Sequence, residues 1–494
     1  MSSNETEFRE LVSRLFDEYI INEMPAHLLR LHPDTGPIES IQVIDRFSLR
    51  SYYATTANEI REVDVVPNAD EEWEDAIIRL IKEKVRYAIL SHRWVNGDSE
   101  SLFQYMQSKV HVSSFDWQVG GLGKLYAFCQ KARNDFNCSF AWCDMCCIDK
   151  TSSSELDEAI RSMFRWYRNS HICITYLQET DSIDDLAEEE WFKRGWTLSE
   201  LLAPFRMKFY GKSWAPLRPL HESVNDKYDS IILQEISRIT RIPETDLRAF
   251  MPDTNRVQEK MVWASNRRTR RVEDVAYSLI GIFDVSLMVA YGEGKRAFYR
   301  LMEAILQRCD HWEIFSWKGS SSSYNAALPA DPSCYPAVKT TGNYDAEEQI
   351  NNERYIVGDR LFSLTNHGLR IKVLLVRVEK VCDTVVEGTH GSRKRLVFSH
   401  GVLGDVELTC IHSKYEPRME WAFGIIDFWQ QYRDGGGALA FIDPCRRSRP
   451  YTAFLLSYHP NESPDARWRK EMTEDVVHIW PQRHIYDSLT VLYL

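Results

Sequence analysis

Short apolar runs alternate with amphipathic segments between residues 72 and 211. The apolar runs are typical of buried strands: YAILSHRW (87–94), SFAWCDMCCIDK (139–150), HICITYL (171–177) and MKFYG (207–211). Helical spacing marks the segments EWEDAIIRLIKEK (72–84), KLYAFCQKARNDF (124–136), SSSELDEAIRSMFRWYRNS (152–170) and WFKRGWTLSELLAP (191–204). Because strands and helices alternate with short connections, the pattern predicts an α/β fold with a parallel sheet and helices on both faces.

The remainder of the chain has weaker patterns. Residues 5–20 are predicted to form a helix, 22–66 remain unassigned, and 228–310 are mostly helical. Residues 320–337 are rich in Ser, Ala and Pro, as in a linker or long loop, and β-like runs follow. We predict four parts: a helical N-terminal segment (1–21), an α/β domain (22–315, with its core at about 85–215 and a helical extension at about 216–315), a linker or loop (316–337), and a β-rich C-terminal domain (338–494).

Composition narrows the functional classes. The 494 residues carry a formal net charge of -12, which argues against a general binder of nucleic acid or of membrane surfaces. No run approaches the roughly 20 apolar residues that a membrane helix needs. The N-terminal sequence is unlike a signal peptide. The 11 cysteines have no framework spacing, so we expect reduced thiols and a cytoplasmic location.

The predicted strands end in polar and aromatic residues. In open α/β sheets, ligands bind beyond the carboxyl ends of the strands. The order of the elements therefore brings one group of residues to a single edge of the sheet: Ser91, Arg93, Trp94, Asp144, Trp196 and Glu200.

Four blocks of the sequence resemble a known family. YAILSHRW, FAWCDMCCIDK, AIRSMFRWYRNSHICITYL and RGWTLSELLAP occur in the order found in the fungal HET (heterokaryon incompatibility) domain. The resemblance covers roughly residues 22–315. The chain departs from the family pattern at Ser199, where Gln is usual, and at Lys150, where Gln usually follows the aspartate.

The HET domain in turn resembles the TIR domain. Ser91 and Arg93 lie in a segment similar to the motif that ends the first TIR strand, and Trp196 and Glu200 have the spacing of the TIR catalytic helix. The resemblance implies a TIR/flavodoxin-like sheet in which Glu200 is the catalytic carboxylate. It also implies that NAD⁺ is a substrate, cleaved at the nicotinamide–ribose bond, and that the active form is a homo-oligomer. Thr197 stands where TIR enzymes have cysteine.

Each candidate residue also has an ordinary structural interpretation. Glu200 could be a simple helix charge near the positive end of the helix dipole. The remaining candidates form the predicted substrate-binding set, in which the tryptophans could instead be core residues, the arginines solvated charges and the acid a turn cap. This set is Ser91, His92, Arg93, Trp94, Trp142, Asp144, Arg194 and Trp196.

Four other patterns do not support a site by themselves. Cys143, Cys146 and Cys147 lack a second pair of zinc ligands nearby in sequence, so buried thiols are predicted and no metal site. YGEGKRA (291–297) matches a dinucleotide fingerprint but carries an acid within the loop, so a helix-entry turn is predicted. The basic run at 267–271 could bind phosphate, but it is interpreted as pairing with Glu273, Asp274 or the acidic surface. Ser91 and His92 are adjacent on a strand and point to opposite faces, which argues against a nucleophile–base pair.

The sequence therefore predicts a HET-domain protein of self/non-self recognition or innate immunity that acts as an NAD⁺ nucleosidase. The expected partners are NAD⁺, further copies of the chain and an upstream sensor protein, and no cofactor other than this substrate is predicted. Two alternatives remain open: a non-enzymatic signalling module that triggers cell death through protein partners, and a nucleotide sensor without turnover.

Overall fold

A computed structural model describes most of the chain: residues 3–33, 36–49, 60–94, 102–108, 111–116, 121–337, 362–384, 393–411, 418–432, 438–444, 450–460, 467–487 and 489–494. The chain forms two compact units. Unit 1 consists of Met1–Pro252 and Arg267–Val289, and unit 2 consists of Asp253–Asn266 and Ala290–Leu494. No helix among the described residues is long and apolar enough to cross a membrane.

Unit 1 is built on a six-stranded mixed sheet in the order β2-β1-β4-β3-β5-β6. Its strands are β1 (His27–His32), β2 (Ser40–Asp45), β3 (Tyr87–His92), β4 (Phe140–Trp142), β5 (Ile172–Tyr176) and β6 (Met207–Tyr210). The strands β3, β4, β5 and β6 are parallel to one another, as predicted. If these four strands are numbered 1 to 4 along the chain, they lie side by side in the sheet in the order 2-1-3-4. The sheet also has an edge that was not predicted: β1 and β2 lie in the unassigned region 22–66 and form an antiparallel pair, and β1 pairs antiparallel with β4.

Among the described residues of unit 1, the helices that precede or connect these strands include α1 (Ser3–Glu23), α2 (Trp73–Lys84), α3 (Leu102–Ser108), α4 (Leu122–Asn134), α5 (Ser153–Asn169) and α6 (Trp196–Leu202). The helices Ser230–Thr240, Glu244–Arg248 and Asp274–Tyr277 follow. Short 3₁₀ turns occur at Glu62–Asp64, Val112–Ser114, Ile183–Glu188, Glu190–Lys193 and Asp226–Tyr228.

Contacts of β3 place helices on both faces of the sheet. Successive side chains of a strand point to opposite faces. On one face, Tyr87 donates a hydrogen bond to the Trp166 carbonyl of α5 (2.5 Å), and Ser91 contacts α6. On the other face, His92 lies 3.2 Å from the amine of Lys124 in α4. The first helical residues of α5 are held by Ser152, whose side chain accepts a hydrogen bond from the Glu155 amide.

The predicted strand 139–150 is much shorter in the structure. β4 ends at Trp142 because the chain then folds into a tight turn, in which the Cys143 carbonyl accepts hydrogen bonds from the amides of Cys146 (3.2 Å) and Cys147 (2.9 Å). The turn presents Asp144 directly at the carboxyl edge of the sheet.

The predicted continuous helix 191–204 is interrupted. The 3₁₀ turn Glu190–Lys193 and helix α6 are separated at Arg194 and Gly195, where the backbone pairs with the segment around Arg268. The Gly195 amide donates to the Arg268 carbonyl at 2.9 Å. A Cβ atom at Gly195 would lie 2.4 Å from the Thr269 methyl group, so this close approach requires glycine.

Unit 2 is rich in β-structure, as predicted for the C-terminal part of the chain. One sheet has the order β16-β15-β12-β8-β20, with β18 on β15 and β7 on β8; a second has the order β17-β11-β10-β9; a third has the order β13-β14-β19. The strands are β7 (Phe362–Thr365), β8 (Gly368–Arg377), β9 (Lys380–Thr384), β10 (Arg393–His400), β11 (Gly404–Ile411), β12 (Glu420–Ile425), β13 (Trp429–Tyr432), β14 (Ala438–Ile442), β15 (Tyr451–Tyr458), β16 (Arg469–Lys470), β17 (Met472–Thr473), β18 (Val477–Ile479), β19 (Ile485–Asp487) and β20 (Thr490–Tyr493).

The core of unit 2 joins side chains of several of these strands, among them Leu374, Phe398, Trp421, Phe423 and Leu455. Unit 2 also contains the helices Val257–Ser265 and Arg296–Arg308 and the 3₁₀ turns Trp312–Phe315 and Pro332–Cys334.

Two of the sequence patterns lie in unit 2. YGEGKRA is a helix-entry turn, as predicted: Gly292 and Gly294 have φ of 101° and 62°, and the helix begins at Arg296. In the segment 316–337, the side chains of Trp317, Leu328 and Tyr335 are buried. The domain boundaries given above stay predictions.

Candidate functional site

The carboxyl ends of the parallel strands bring three chain segments together in unit 1. β3 ends in Ser91 and His92, β4 is followed by Cys143 and Asp144, and helix α6 lies between β5 and β6. Glu200 is in the middle of α6. This is the edge at which ligands bind in open α/β sheets.

Glu200 is buried and is tied to β3. The Ser91 hydroxyl donates a hydrogen bond of 2.5 Å to Glu200 Oε2, and it accepts one of 2.9 Å from the indole nitrogen of Trp191. Ser91 and Trp191 are fully buried, whereas Glu200 keeps 8% of its surface exposed. The indole therefore orients the hydroxyl, and the hydroxyl orients the carboxylate.

The electrostatic environment of Glu200 favours a mixture of protonation states near neutrality. Burial raises the pKa of Glu200 to about 7, although the Ser91 hydrogen bond and the charge of Arg194 lower it. A carboxyl group with a pKa in this range can act as an anion or as an acid at physiological pH.

Two arginines stand beside the start of α6. Arg194 Nη1 donates to the His92 carbonyl at 3.3 Å. Arg267 Nη1 donates to the Arg194 carbonyl and to the Thr197 hydroxyl, both at 2.9 Å. Burial lowers the pKa of Arg267 to about 9, which still leaves it charged at neutral pH, and the Glu200 charge opposes this lowering. The site therefore contains fixed positive charge suited to an anionic group.

A second group lies on the opposite face of β3. His92 Nε2 is 3.1 Å from Asp144 Oδ1, and Trp94 Nε1 donates to Asp144 Oδ2 at 2.8 Å. The Cys143 thiol lies 3.9 Å from Asp144 Oδ1. The Lys150 amine is 3.6 Å from the centre of the Trp94 ring, a cation–π contact.

These groups shift one another's protonation. Burial disfavours the imidazolium, but hydrogen bonds to Asp144 and Cys143 raise the pKa of His92 to about 9. Burial likewise favours the neutral thiol, but hydrogen bonds from Cys146 and His92 lower the pKa of Cys143 to about 6. Burial also opposes the Asp144 anion, but His92, Lys150 and Arg194 hold its pKa well below its usual range.

The structure brings together six of the predicted site residues: Ser91, His92, Trp94, Asp144, Arg194 and Glu200. The other three lie differently. Trp142 is fully buried, and its ring packs edge-on against Trp166 and Tyr167, so it is a core residue of the sheet. Arg93 forms an ion pair with Glu179. Trp196 is half-buried at the first position of α6.

Sequence reasoning missed two residues of the site. Trp191 lies within the segment WFKRGW, five residues before the predicted Trp196, and it is the tryptophan that contacts Ser91. Arg267 belongs to the basic run 267–271, but its contacts with Arg194 and Thr197 differ from the predicted pairing with Glu273 or Asp274. Cys143, Cys146 and Cys147 are buried free thiols, as predicted.

Comparisons with known proteins show that part of the chain is similar to a known family. Residues 87–185 match the family described as heterokaryon incompatibility protein (HET). The chain is 38% identical over 231 residues to the vegetative incompatibility protein HET-E-1 of Podospora anserina, and the alignment covers 44% of this chain and 16% of that relative. No solved structure matched the chain. The HET resemblance of the sequence motifs is confirmed, while the TIR resemblance stays a prediction.

Proposed function

Since residues 87–185 of this chain match the HET family, we propose that the protein acts in self/non-self recognition or innate immunity by cleaving the nicotinamide–ribose bond of NAD⁺. The name of the matched relative describes it as a vegetative incompatibility protein, and the biological part of the proposal follows that name. Glu200 lies beyond residue 185, so the chemical part is argued from the site itself.

One observation carries the chemical proposal: a buried carboxylate stands at the carboxyl edge of the sheet, held by the Ser91 hydroxyl. Nicotinamide leaves as a neutral base from a cationic pyridinium and needs no general acid. The step that needs help is the formation of an oxocarbenium-like ribosyl cation, and a carboxylate stabilises such a charge. Glu200 in its anionic form has the required charge and lies where a ligand of such a sheet binds.

The surrounding residues support the same assignment. The Ser91 hydrogen bond and the Arg194 charge both favour the anionic form of Glu200 against the effect of burial. Arg194 and Arg267 supply positive charge of the kind that binds a pyrophosphate. Trp94, half-buried at the end of β3, offers a ring for stacking.

The strand order of the sheet also supports the proposal. The parallel strands have the order 2-1-3-4, which is the beginning of the flavodoxin-like order of doubly wound sheets. In such sheets the ligand lies at the switch point between the first and third strands, here β3 and β5. Ser91 and His92 end β3, and α6 follows β5.

The proposal is tested by incubating the purified full chain with NAD⁺ and quantifying nicotinamide and ADP-ribose products by liquid chromatography. We expect nicotinamide to accumulate in proportion to protein concentration and time. Release no faster than in a protein-free control, with bound NAD⁺ detected by calorimetry, would favour a nucleotide sensor. The absence of both release and binding would favour a signalling module that acts through protein partners.

A further inference from the structure

The cluster on the far face of β3 consists of three side chains that are metal ligands in many proteins. The coordinating atoms of His92, Cys143 and Asp144 all lie within 4.8 Å of one another. The C-x-x-C-C sequence lacked a suitable partner nearby along the chain. The fold supplies one from another strand, because β3 and β4 are parallel neighbours that end at the same edge.

The distances within the cluster fit one small cation. Ligand atoms around a tetrahedral zinc ion stand roughly 3.3–3.8 Å apart, given bond lengths of about 2.0–2.3 Å. His92 Nε2 and Asp144 Oδ1 are 3.1 Å apart, and Cys143 Sγ and Asp144 Oδ1 are 3.9 Å apart. Both distances to Asp144 are therefore within a few tenths of an ångström of the zinc values, and the His92 and Cys143 ligand atoms lie within 4.8 Å of each other.

The outer contacts of the cluster are those of a metal site. A metal-bound histidine usually donates its other ring N–H to a carbonyl or carboxylate, and a metal-bound carboxylate is itself hydrogen-bonded. His92 Nδ1 lies 3.2 Å from the Arg93 carbonyl, and the second oxygen of Asp144 accepts a hydrogen bond from Trp94. Both ligands are thus oriented by groups that leave Nε2 and Oδ1 directed at each other.

We propose that His92, Cys143 and Asp144 form a binding site for a divalent cation of the zinc class. Thiolate and imidazole together select zinc-like ions over magnesium or calcium, which prefer oxygen ligands alone. Three protein ligands leave a fourth position for water or another small ligand, as in catalytic zinc sites. The Asp144 side chain is 29% exposed, so water reaches this position.

Positive charges near the cluster oppose cation binding and have to be weighed. The Lys124 amine lies 3.2 Å from His92 Nδ1, and it also donates to the Arg93 carbonyl at 3.1 Å. A carbonyl oxygen accepts two hydrogen bonds, so Lys124 and His92 can both donate to it when the metal holds Nε2. Lys150 and Arg194 act on Asp144 through charge. A thiolate and a carboxylate carry two negative charges, which match those of the ion.

The test of the metal site does not depend on the proposed chemistry at Glu200. Ser91 and His92 point to opposite faces of β3, so the Glu200 carboxylate and the three-residue cluster lie on different sides of the strand. Metal binding therefore can be measured whether or not the chain cleaves NAD⁺.

Cobalt is the probe for the test, because its absorption reports both coordination geometry and thiolate ligation. The full chain is treated with a chelator under reducing conditions, dialysed, and titrated with Co²⁺ and then with Zn²⁺. We expect one equivalent of Co²⁺ to bind per chain, with a thiolate-to-cobalt charge-transfer band and visible bands of tetrahedral intensity. One equivalent of Zn²⁺ should abolish these bands.

Single substitutions assign the ligands. Cys143→Ser should remove the charge-transfer band, and Asp144→Asn should weaken Co²⁺ affinity at least tenfold. Trp94→Phe, which removes the outer hydrogen bond but keeps an aromatic ring beside Lys150, should weaken it by roughly 10-fold or more. Cys147→Ser is the matched control, since Cys147 is an equally buried thiol in the same turn but lies outside the cluster. Circular dichroism and melting curves verify that each variant is folded.

Two results would overturn the proposal. The first is the absence of stoichiometric Co²⁺ and Zn²⁺ binding by the folded wild-type chain, which requires no variant. The second is a charge-transfer band that persists in folded Cys143→Ser, or that disappears equally in folded Cys147→Ser, because other thiols would then hold the ion. Should Cys143→Ser fail to fold, Asp144→Asn and the wild-type stoichiometry decide the question.

Discussion

The Ser91 hydroxyl and the Glu200 carboxylate are 109 residues apart in the chain and 2.5 Å apart in the structure. This hydrogen bond connects the carboxyl end of β3 to the middle of α6. Trp191 completes the connection by donating to the same hydroxyl. The position and protonation of Glu200 therefore depend on two buried residues, and each can be changed separately.

Glu200→Gln removes the charge but preserves the size of the side chain. If the carboxylate stabilises the ribosyl cation, a loss of about 3–4 kcal/mol should reduce kcat for nicotinamide release by roughly 10²–10³. KM should change little, because the sugar of bound NAD⁺ carries little of that charge. Glu190→Gln is the control, since Glu190 is an exposed acid paired with Lys193 on the same segment. Equal turnover by wild type and Glu200→Gln would eliminate Glu200 as the catalytic group.

The pH dependence of turnover should follow the ionisation of Glu200. Its pKa is raised to about 7, so kcat/KM should increase with pH and level off above this value if the anion is active. Ser91→Ala removes a hydrogen bond that lowers this pKa, so the rising limb should move to higher pH. It should also cost about 1–3 kcal/mol of unfolding free energy, because the Trp191 indole loses its buried acceptor.

Ser199→Ala is the matched control for this experiment. Ser199 is a buried serine on the same helix that donates to the Ser278 carbonyl rather than to Glu200. We expect a comparable loss of stability without movement of the pH limb. Movement of the limb in both variants would mean that it reports helix displacement and not the ionisation of Glu200.

Glu200 should also impose a pH-dependent cost on folding. The pKa of Glu200 rises from the ordinary 4.5 to about 7 in the folded chain, so the folded state binds the proton more tightly than the unfolded state does. The stability that depends on the protonated carboxyl is fully present below pH 4.5 and is lost as the pH rises through 7. Glu200→Gln should therefore exceed wild type in unfolding free energy by on the order of 3 kcal/mol at pH 8. The difference should shrink towards pH 4.5. Denaturant unfolding at several pH values checks this, and a difference independent of pH would contradict it.

Self-association should be required for activity if the predicted TIR resemblance holds. Specific activity is expected to rise with protein concentration and to follow the fraction of oligomer measured by light scattering. A monomer with full and constant specific activity over the same concentrations would refute this prediction.

Local patterns predicted the elements of unit 1 better than they predicted its contacts. The strand YAILSH is a continuous apolar run, the helix Ser153–Asn169 has helical apolar periodicity, and both were predicted within a few residues. The antiparallel pair β1–β2 was missed because HLLRLH and SIQVID mix polar and apolar positions, although Pro33, Asp34 and Gly36 between them favour a turn. The strand that begins at Phe140 was predicted to be too long, because the cysteines that follow it continue the apolar pattern of a buried strand. These cysteines are buried, but the backbone turns at Cys143.

Sequence alone predicts those site residues whose position follows from the order of strands and helices along the chain. Glu200 and Asp144 follow from strand ends and helix position. Trp191 and Arg267 could not be chosen over Trp196 and the neighbouring arginines, because their roles arise from the break at Gly195, where a distant segment pairs with the backbone. The grouping of His92 with Cys143 likewise requires knowledge that β3 and β4 are neighbours.

Arg194 offers a way to separate substrate binding from catalysis at this site. Its charge lowers the pKa of both Glu200 and Asp144, and its guanidinium donates to the His92 carbonyl. Arg194→Gln keeps a donor but removes the charge. If Arg194 holds the NAD⁺ pyrophosphate, KM should rise at least tenfold, as expected for the loss of a charged hydrogen bond of about 1.5–3 kcal/mol. The rising limb of the kcat/KM profile should also move to higher pH, because the Glu200 anion loses a stabilising cation.

Arg268→Gln is the control. The Arg268 side chain is exposed and only its backbone pairs with Arg194, so this substitution should leave KM and the rising limb unchanged. A normal KM combined with a shifted limb would restrict Arg194 to tuning Glu200, whereas no change in either would remove it from the site.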